Sequence, residues 1–134
     1  MNDKEYEKQK KRVQKCFYKW RTPLGIGWWR VTLEYSREGM SSTRYEPSDH
    51  NGKFACVLAV TSDYYYKTAV IEANLPVIQE VKDEDLDRYM LHELMHLHLK
   101  PMQHPDKTEQ EELVATSLAD AILWVVEAVK KKDL

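Results

Sequence analysis

DEDLDRYMLHELMHLHL, residues 83–99, carries the pattern from which the rest of the chain can be read. Asp83 or Asp85 can cap a helix that runs to about Leu99, with Pro101 just beyond its end. Residues four apart share a helix face, so His92 and His96 can both turn their imidazoles to one metal ion. Glu93 is rotated from His92 by about a hundred degrees. It therefore stands beside the metal rather than on it, placed to take a proton from an attacking water and return it to a leaving amine. Tyr89, Met90, Leu91, Leu94, Met95 and Leu97 surround these residues without a charge, which predicts a buried helix. Two histidines and a glutamate are costly in such a place unless they have a use. The competing reading is that the histidines simply hydrogen-bond in the core.

Two histidines need a third ligand from another segment. A second helix is predicted from about Thr108, where Thr108 and Glu111 have the spacing of a capping box. Packed antiparallel to the first, it would bring Glu112, in EELVATSLA (residues 111–119), to His92 and His96. Glu111, Glu109 and His104 are the alternatives. A third histidine six residues beyond His96 would have to be Met102, so a three-histidine site fails, and His98 points away from the metal face. Two histidines and one carboxylate suit zinc with a fourth position open for water or substrate, although iron, cobalt and manganese accept the same set. The second helix is expected to bury Leu113, Val114, Leu118, Ala121, Ile122, Val125 and Val129 and to end in Lys130–Lys132.

Upstream, Tyr6, Val13, Cys16, Phe17 and Trp20 predict an amphipathic helix over 3–20, broken by Pro23, Gly25 and Gly27. Trp29, Val31, Leu33 and Tyr35 alternate with Arg30, Thr32 and Glu34, which predicts a strand over 28–36 with one buried face. Residues 37–52 read as an exposed loop. Strands are predicted from Phe54 to Thr61 and from Lys67 to Leu75, joined as a hairpin and stopped by Pro76. Trp28, Trp29 and Trp124 are expected in the core. The sum is a single α+β domain over 1–134: a helix, a three-stranded, mostly antiparallel sheet, and two site-bearing helices.

The chain has 134 residues and a net charge of −2, which argues against a dedicated nucleic-acid binder. Residues 1–21 are locally basic, with eight Lys or Arg against three acids, and a solvated helix face accounts for that. The start lacks the apolar stretch of a secretory signal and nothing nears a membrane span, so a cytoplasmic chain is expected. Cys16 and Cys56 are far apart and outside any CxxC pair, which predicts reduced thiols and no role as zinc ligands.

HELMH (92–96), followed by Glu112-x-x-Ala115-x-x-Leu118-Ala119, resembles the gluzincin metallopeptidases. Within them it is most similar to the compact bacterial and phage-borne enzymes of the ImmA/IrrE type. The resemblance covers roughly residues 88–124 and implies a minimal zincin-like fold. It also implies a hydrolase cleaving peptide or protein substrates, as an endopeptidase rather than an exopeptidase. Its ligands would be His92, His96 and Glu112, its metal zinc, and its general base Glu93. Thr116 stands where those proteins have asparagine. In gluzincins substrate adds as a further strand beside the catalytic helix, and Thr68–Leu75 is the expected equivalent. One of Tyr64, Tyr65 and Tyr66 would be available to an oxyanion, although packing at a turn explains them as well.

Overall fold

In the computed structural model, which describes residues 1–39, 56–102 and 108–132, apolar periodicity decides each element. Helix α1 (Asp3–Arg21) is capped by Asn2, whose side chain accepts from the Glu5 amide, and buries Val13, Cys16, Phe17 and Trp20. It ends where Gly25 adopts a positive φ of 69°, open to glycine without a Cβ penalty. Three strands follow: β1 (Arg30–Ser36), β2 (Leu58–Asp63) and β3 (Thr68–Asn74). A single turn, α2 (Leu75–Ile78), carries Pro76 near its start and leads to α3 (Asp83–Leu99). After a 3₁₀ turn over Lys100–Met102 comes α4 (Thr108–Lys132).

The sheet order is β1-β3-β2. β2 and β3 form the expected antiparallel hairpin, but β1 runs parallel to β3. The sheet is therefore mixed, not mostly antiparallel. Alternation along β1 reports which face is buried and says nothing of polarity, whereas the connection from β1 to β2 is long enough to let β3 insert between them. Register lines up Leu33, Ile71 and Val60 in one row and Tyr35, Ala73 and Leu58 in the next. These rows meet α1 and the Leu86, Met90, Leu91, Leu94 and Leu97 side chains of α3 in one core. Phe54 and most of the 37–52 loop lie outside the described residues.

Two polar knots fasten α1 to the segment that carries α3. Arg12 donates to Asp83 Oδ1 at 2.7 Å, to the Ile78 carbonyl at 2.9 Å and to the Val81 carbonyl at 2.6 Å. Asp87 accepts from Trp20 Nε1 at 2.9 Å, from Lys19 at 2.8 Å and from Cys16 Sγ at 3.3 Å. Part of the basic excess of residues 1–21 is thus used inside the fold. Both cysteines are free thiols, and burial together with Asp87 raises the Cys16 pKa so that it stays a donor.

Three expectations are corrected. Lys82, not Asp83 or Asp85, occupies the cap of α3, and the acids fill its first turn, where they favour the positive helix end. Trp29 is buried, but Trp28 and Trp124 are exposed. On α4 only Ala115 and Ala119 are fully buried, with Ile122, Leu123 and Val126 partly covered, while Leu113, Val114, Leu118, Val125 and Val129 face out. Close approach to α3 selects the alanines, and the rotation that brings Glu112 and Thr116 to the histidines turns the bulky stripe away. No helix among the described residues is long and apolar enough to cross a membrane.

Burial alone would raise the Asp87 pKa, but hydrogen bonds from Lys19, Trp20 and Cys16 outweigh it and hold it below 3.8. A depressed acid stabilises the fold above its unfolded pKa and loses that contribution as pH falls through the folded value. Asp87→Ala leaves the Trp20 indole without its acceptor and is expected to cost about 1–3 kcal/mol in urea unfolding at neutral pH. The difference from wild type should shrink at pH values below the Asp87 pKa.

Candidate metal centre

α3 and α4 run antiparallel, and their polar contacts step along both helices a turn at a time. Arg88 Nε donates to Asp120 at 3.0 Å. His92 Nδ1 lies 3.0 Å from Thr116 Oγ1, and His96 Nδ1 lies 2.8 Å from Glu111 Oε1. Glu111 and Thr116 therefore occupy the outer nitrogens of the two rings. The inner nitrogens converge: His92 Nε2 and His96 Nε2 are 3.2 Å apart, and Glu112 lies 2.8 Å from the first and 3.1 Å from the second. His92, His96 and Glu112 form a group that can hold a metal ion, with donor atoms all within 4.8 Å of one another.

The donors fit that role. A carboxylate only accepts, so the His96 Nδ1–H donates to Glu111 and leaves an Nε2 lone pair pointing inward. Thr116 accepting from His92 Nδ1 would do the same for the other ring. Two lone pairs and a carboxylate aimed at one point repel unless a proton or a cation sits among them. Ligands at 2.0–2.1 Å around tetrahedral zinc stand about 3.3 Å apart, close to the spacing of the two ring nitrogens. The second Glu111 oxygen, Oε2, is buried with no hydrogen-bond partner.

The ionisation of the site follows from the same arrangement. Burial lowers the His96 pKa, but Glu112, Glu111 and Glu93 outweigh it and raise it to about 9. Hydrogen bonds from His92 and His96 hold Glu112 at about 2. Burial raises Glu93 to about 7, opposed by the two histidines and by a backbone hydrogen bond at Val60. Without metal, a proton on His96 supplies the positive charge that the site demands.

Glu93, His96, Glu111 and Glu112 line an open cleft of about 240 Å³, together with Val60, Thr61 and Ser62 of β2, Lys100 and Thr108. The strand beside α3 is thus β2. The Thr68–Leu75 segment expected to hold substrate is mostly β3, the central strand, which has both edges paired and cannot take a further one. Tyr64, Tyr65 and Tyr66 are exposed at the hairpin turn and are not among the residues lining the cleft. Asp120 pairs with Arg88. His98 bonds the Leu24 carbonyl at 2.7 Å, and His104 lies outside the described residues. The role of Glu111 toward His96 was missed in the sequence, where it competes with Glu112 as a ligand.

No family model matches the chain, and neither does any curated protein or solved structure.

Three outcomes are expected. Glu112→Ala should lose most of the metal that wild type retains on purification, measured by mass spectrometry. Glu111→Ala should keep the stoichiometry at saturation and bind about 10–100-fold more weakly. A raised histidine stabilises the fold fully below its unfolded pKa of 6.5 and loses that contribution as pH rises through about 9. Metal-free protein should therefore show a Tm that falls across that window. Metal binding displaces the His96 proton, so the loaded protein should lack this fall, and titration calorimetry near neutral pH should detect close to one proton released.

Proposed function

We propose that this chain is a zinc-dependent peptide hydrolase of the gluzincin kind, with His92, His96 and Glu112 as ligands and Glu93 as general base and acid. One observation carries the reading: three ligand donors converge, and two of them, His96 and Glu112, line a cleft that is also lined by the half-buried Glu93, whose pKa is raised to about 7. Zinc bound there would supply Lewis acidity, polarising a carbonyl and acidifying water.

Each residue has a task in that scheme. Glu111 and Thr116 fix the ring orientations and keep the inner nitrogens free of hydrogen. Glu93, with a pKa of about 7, exchanges protons at neutral pH without a large driving force either way. It takes a proton from water as the oxygen attacks the peptide carbonyl, and passes it to the leaving nitrogen as the C–N bond breaks. Thr61 and Ser62 border the cleft from β2, so an extended peptide or protein segment would lie along β2 rather than β3. A cleft open on one side takes the middle of a chain as readily as its end, which suits an endopeptidase.

The cleft volume of about 240 Å³ favours a second reading, a zinc-bearing binding or regulatory module that does not cleave. Pockets for small molecules run from about 300 to 1,000 Å³. An extended peptide held by main-chain contacts needs no deep pocket, so the hydrolase is preferred.

Glu93→Gln separates the two. Zinc-loaded wild type should cleave a mixture of unstructured peptides, read by mass spectrometry. The variant should retain zinc and cleave about 10²–10⁴-fold more slowly. Cleavage by the variant at the wild-type rate would sink the mechanism. Loaded wild type that cleaves nothing, and matches the variant in zinc content and stability, would favour the binding module.

A further inference from the structure

The polar contacts between α3 and α4 form a ladder that steps four residues at a time along both helices. Its rungs are Arg88 with Asp120, His92 with Thr116, and His96 with Glu111 and Glu112. The next rung falls at Lys100 and Thr108, and both line the cleft that Glu93, His96 and Glu112 also line. Lys100 begins the 3₁₀ turn that continues α3, so it stands one helical turn past His96, about 6 Å farther along the axis. Among the described residues lining the cleft it is the one lysine or arginine.

The carboxylates beside Lys100 are already engaged elsewhere. Glu111 bonds the outer nitrogen of His96, and Glu112 meets the inner nitrogens of both rings. Lys100 itself makes no hydrogen bond or ion pair among the described residues. It is half-buried, and a cation partly withdrawn from water gains most from an anion brought to it. A lysine at the end of α3 also suits the negative end of that helix, but that role is indifferent to what enters the cleft. Distance sets where a substrate would meet it. An extended peptide advances about 3.3 Å per residue, so a chain held at the metal centre and laid along β2 reaches Lys100 within about two residues of the reacting bond.

Resting on the reading of this cleft as a peptide-hydrolase site, we propose that Lys100 is its specificity-determining residue and binds a substrate carboxylate within about two residues of the bond that is cut. That carboxylate belongs to an Asp or Glu side chain or to the end of the peptide, and the ammonium donates to either in the same way. A neutral peptide lacks the contact, and a basic one sets like charges together, so one residue both attracts and excludes.

Cut sites and binding test this separately. Zinc-loaded wild type should cut a mixture of unstructured peptides at sites enriched in Asp or Glu close to the cut, read by mass spectrometry. Lys100→Glu should move the enrichment to Lys and Arg, and Lys100→Arg should keep it. In a peptide built on a frequent cut site, replacing the Glu by Gln should raise KM about tenfold in wild type and far less in Lys100→Met. A lysine that only suits the helix end would shift the Tm of these variants and leave their cut sites as in wild type, which overturns the proposal. Binding is read by fluorescence anisotropy on zinc-loaded Glu93→Gln with three peptides: an amidated one of alternating Ala and Glu, its amidated Gln counterpart, and that counterpart with a free C-terminus. Binding of the Glu peptide about tenfold tighter than its amidated counterpart assigns the carboxylate to a side chain. Tighter binding of the free-ended peptide alone assigns it to the chain end. Equal binding of all three overturns the proposal even where wild type cleaves. Preferential binding that is lost when Lys100→Glu is added, with no cleavage of any peptide by wild type, would overturn the hydrolase and leave the Lys100 site standing.

Discussion

Three electron-rich atoms are held within hydrogen-bonding distance of one another between two helices, and the surrounding structure exists to tolerate that. His92 Nε2, His96 Nε2 and a Glu112 carboxylate have no reason to meet unless positive charge sits among them. The alanines at 115 and 119 let α3 and α4 approach closely. Thr116 and Glu111 hold the outer ring nitrogens, so the rings cannot turn to relieve the repulsion. The raised His96 and depressed Glu112 pKa values are the electrostatic record of the same constraint. A metal ion held at this group would compete with a proton for one position, which would link its occupancy to pH.

α3 serves two partners at once. Leu86, Met90, Leu94 and Leu97 join the sheet and α1 in the core, while His92 and His96 on the opposite side meet α4. Displacement of α3 along its axis would therefore disturb core packing and ligand geometry together. Arg12 and Asp87 resist such sliding from the α1 side, and Arg88 with Asp120 does so from the α4 side. β2 packs beside Glu93, and burial there raises the carboxyl to a pKa of about 7.

α4 is the element least supported by the chain's own core. It is 25 residues long, about 37 Å, yet only two small side chains in it are fully buried. Its first half is tied to α3 by the site, and its second half relies on the partial cover of Ile122, Leu123 and Val126. Much of the apolar surface that a helix normally buries to stabilise itself is still exposed here.

Local chemistry in the sequence determined a good deal. Asp and Glu near residue 83 and Pro101 bounded α3, four-residue spacing put His92 and His96 on one face, and alternation from Arg30 to Tyr35 set the buried side of β1. The short link read at Ser62–Tyr66 specified the hairpin of β2 and β3, which the structure turns at Tyr64–Lys67. All of these depend on neighbours a few residues away. Tertiary structure decided the remainder, because each answer depends on groups distant in sequence. Strand polarity of β1 was settled by β3 inserting beside it, not by the β1 side chains. The rotation of α4 goes with the contacts of Glu111, Glu112 and Thr116 to the two rings, so the hydrophobic stripe that looked like core faces outward. Glu111 and Glu112 are chemically equivalent neighbours, and only the positions of the two rings assign one to an outer nitrogen and the other to the centre.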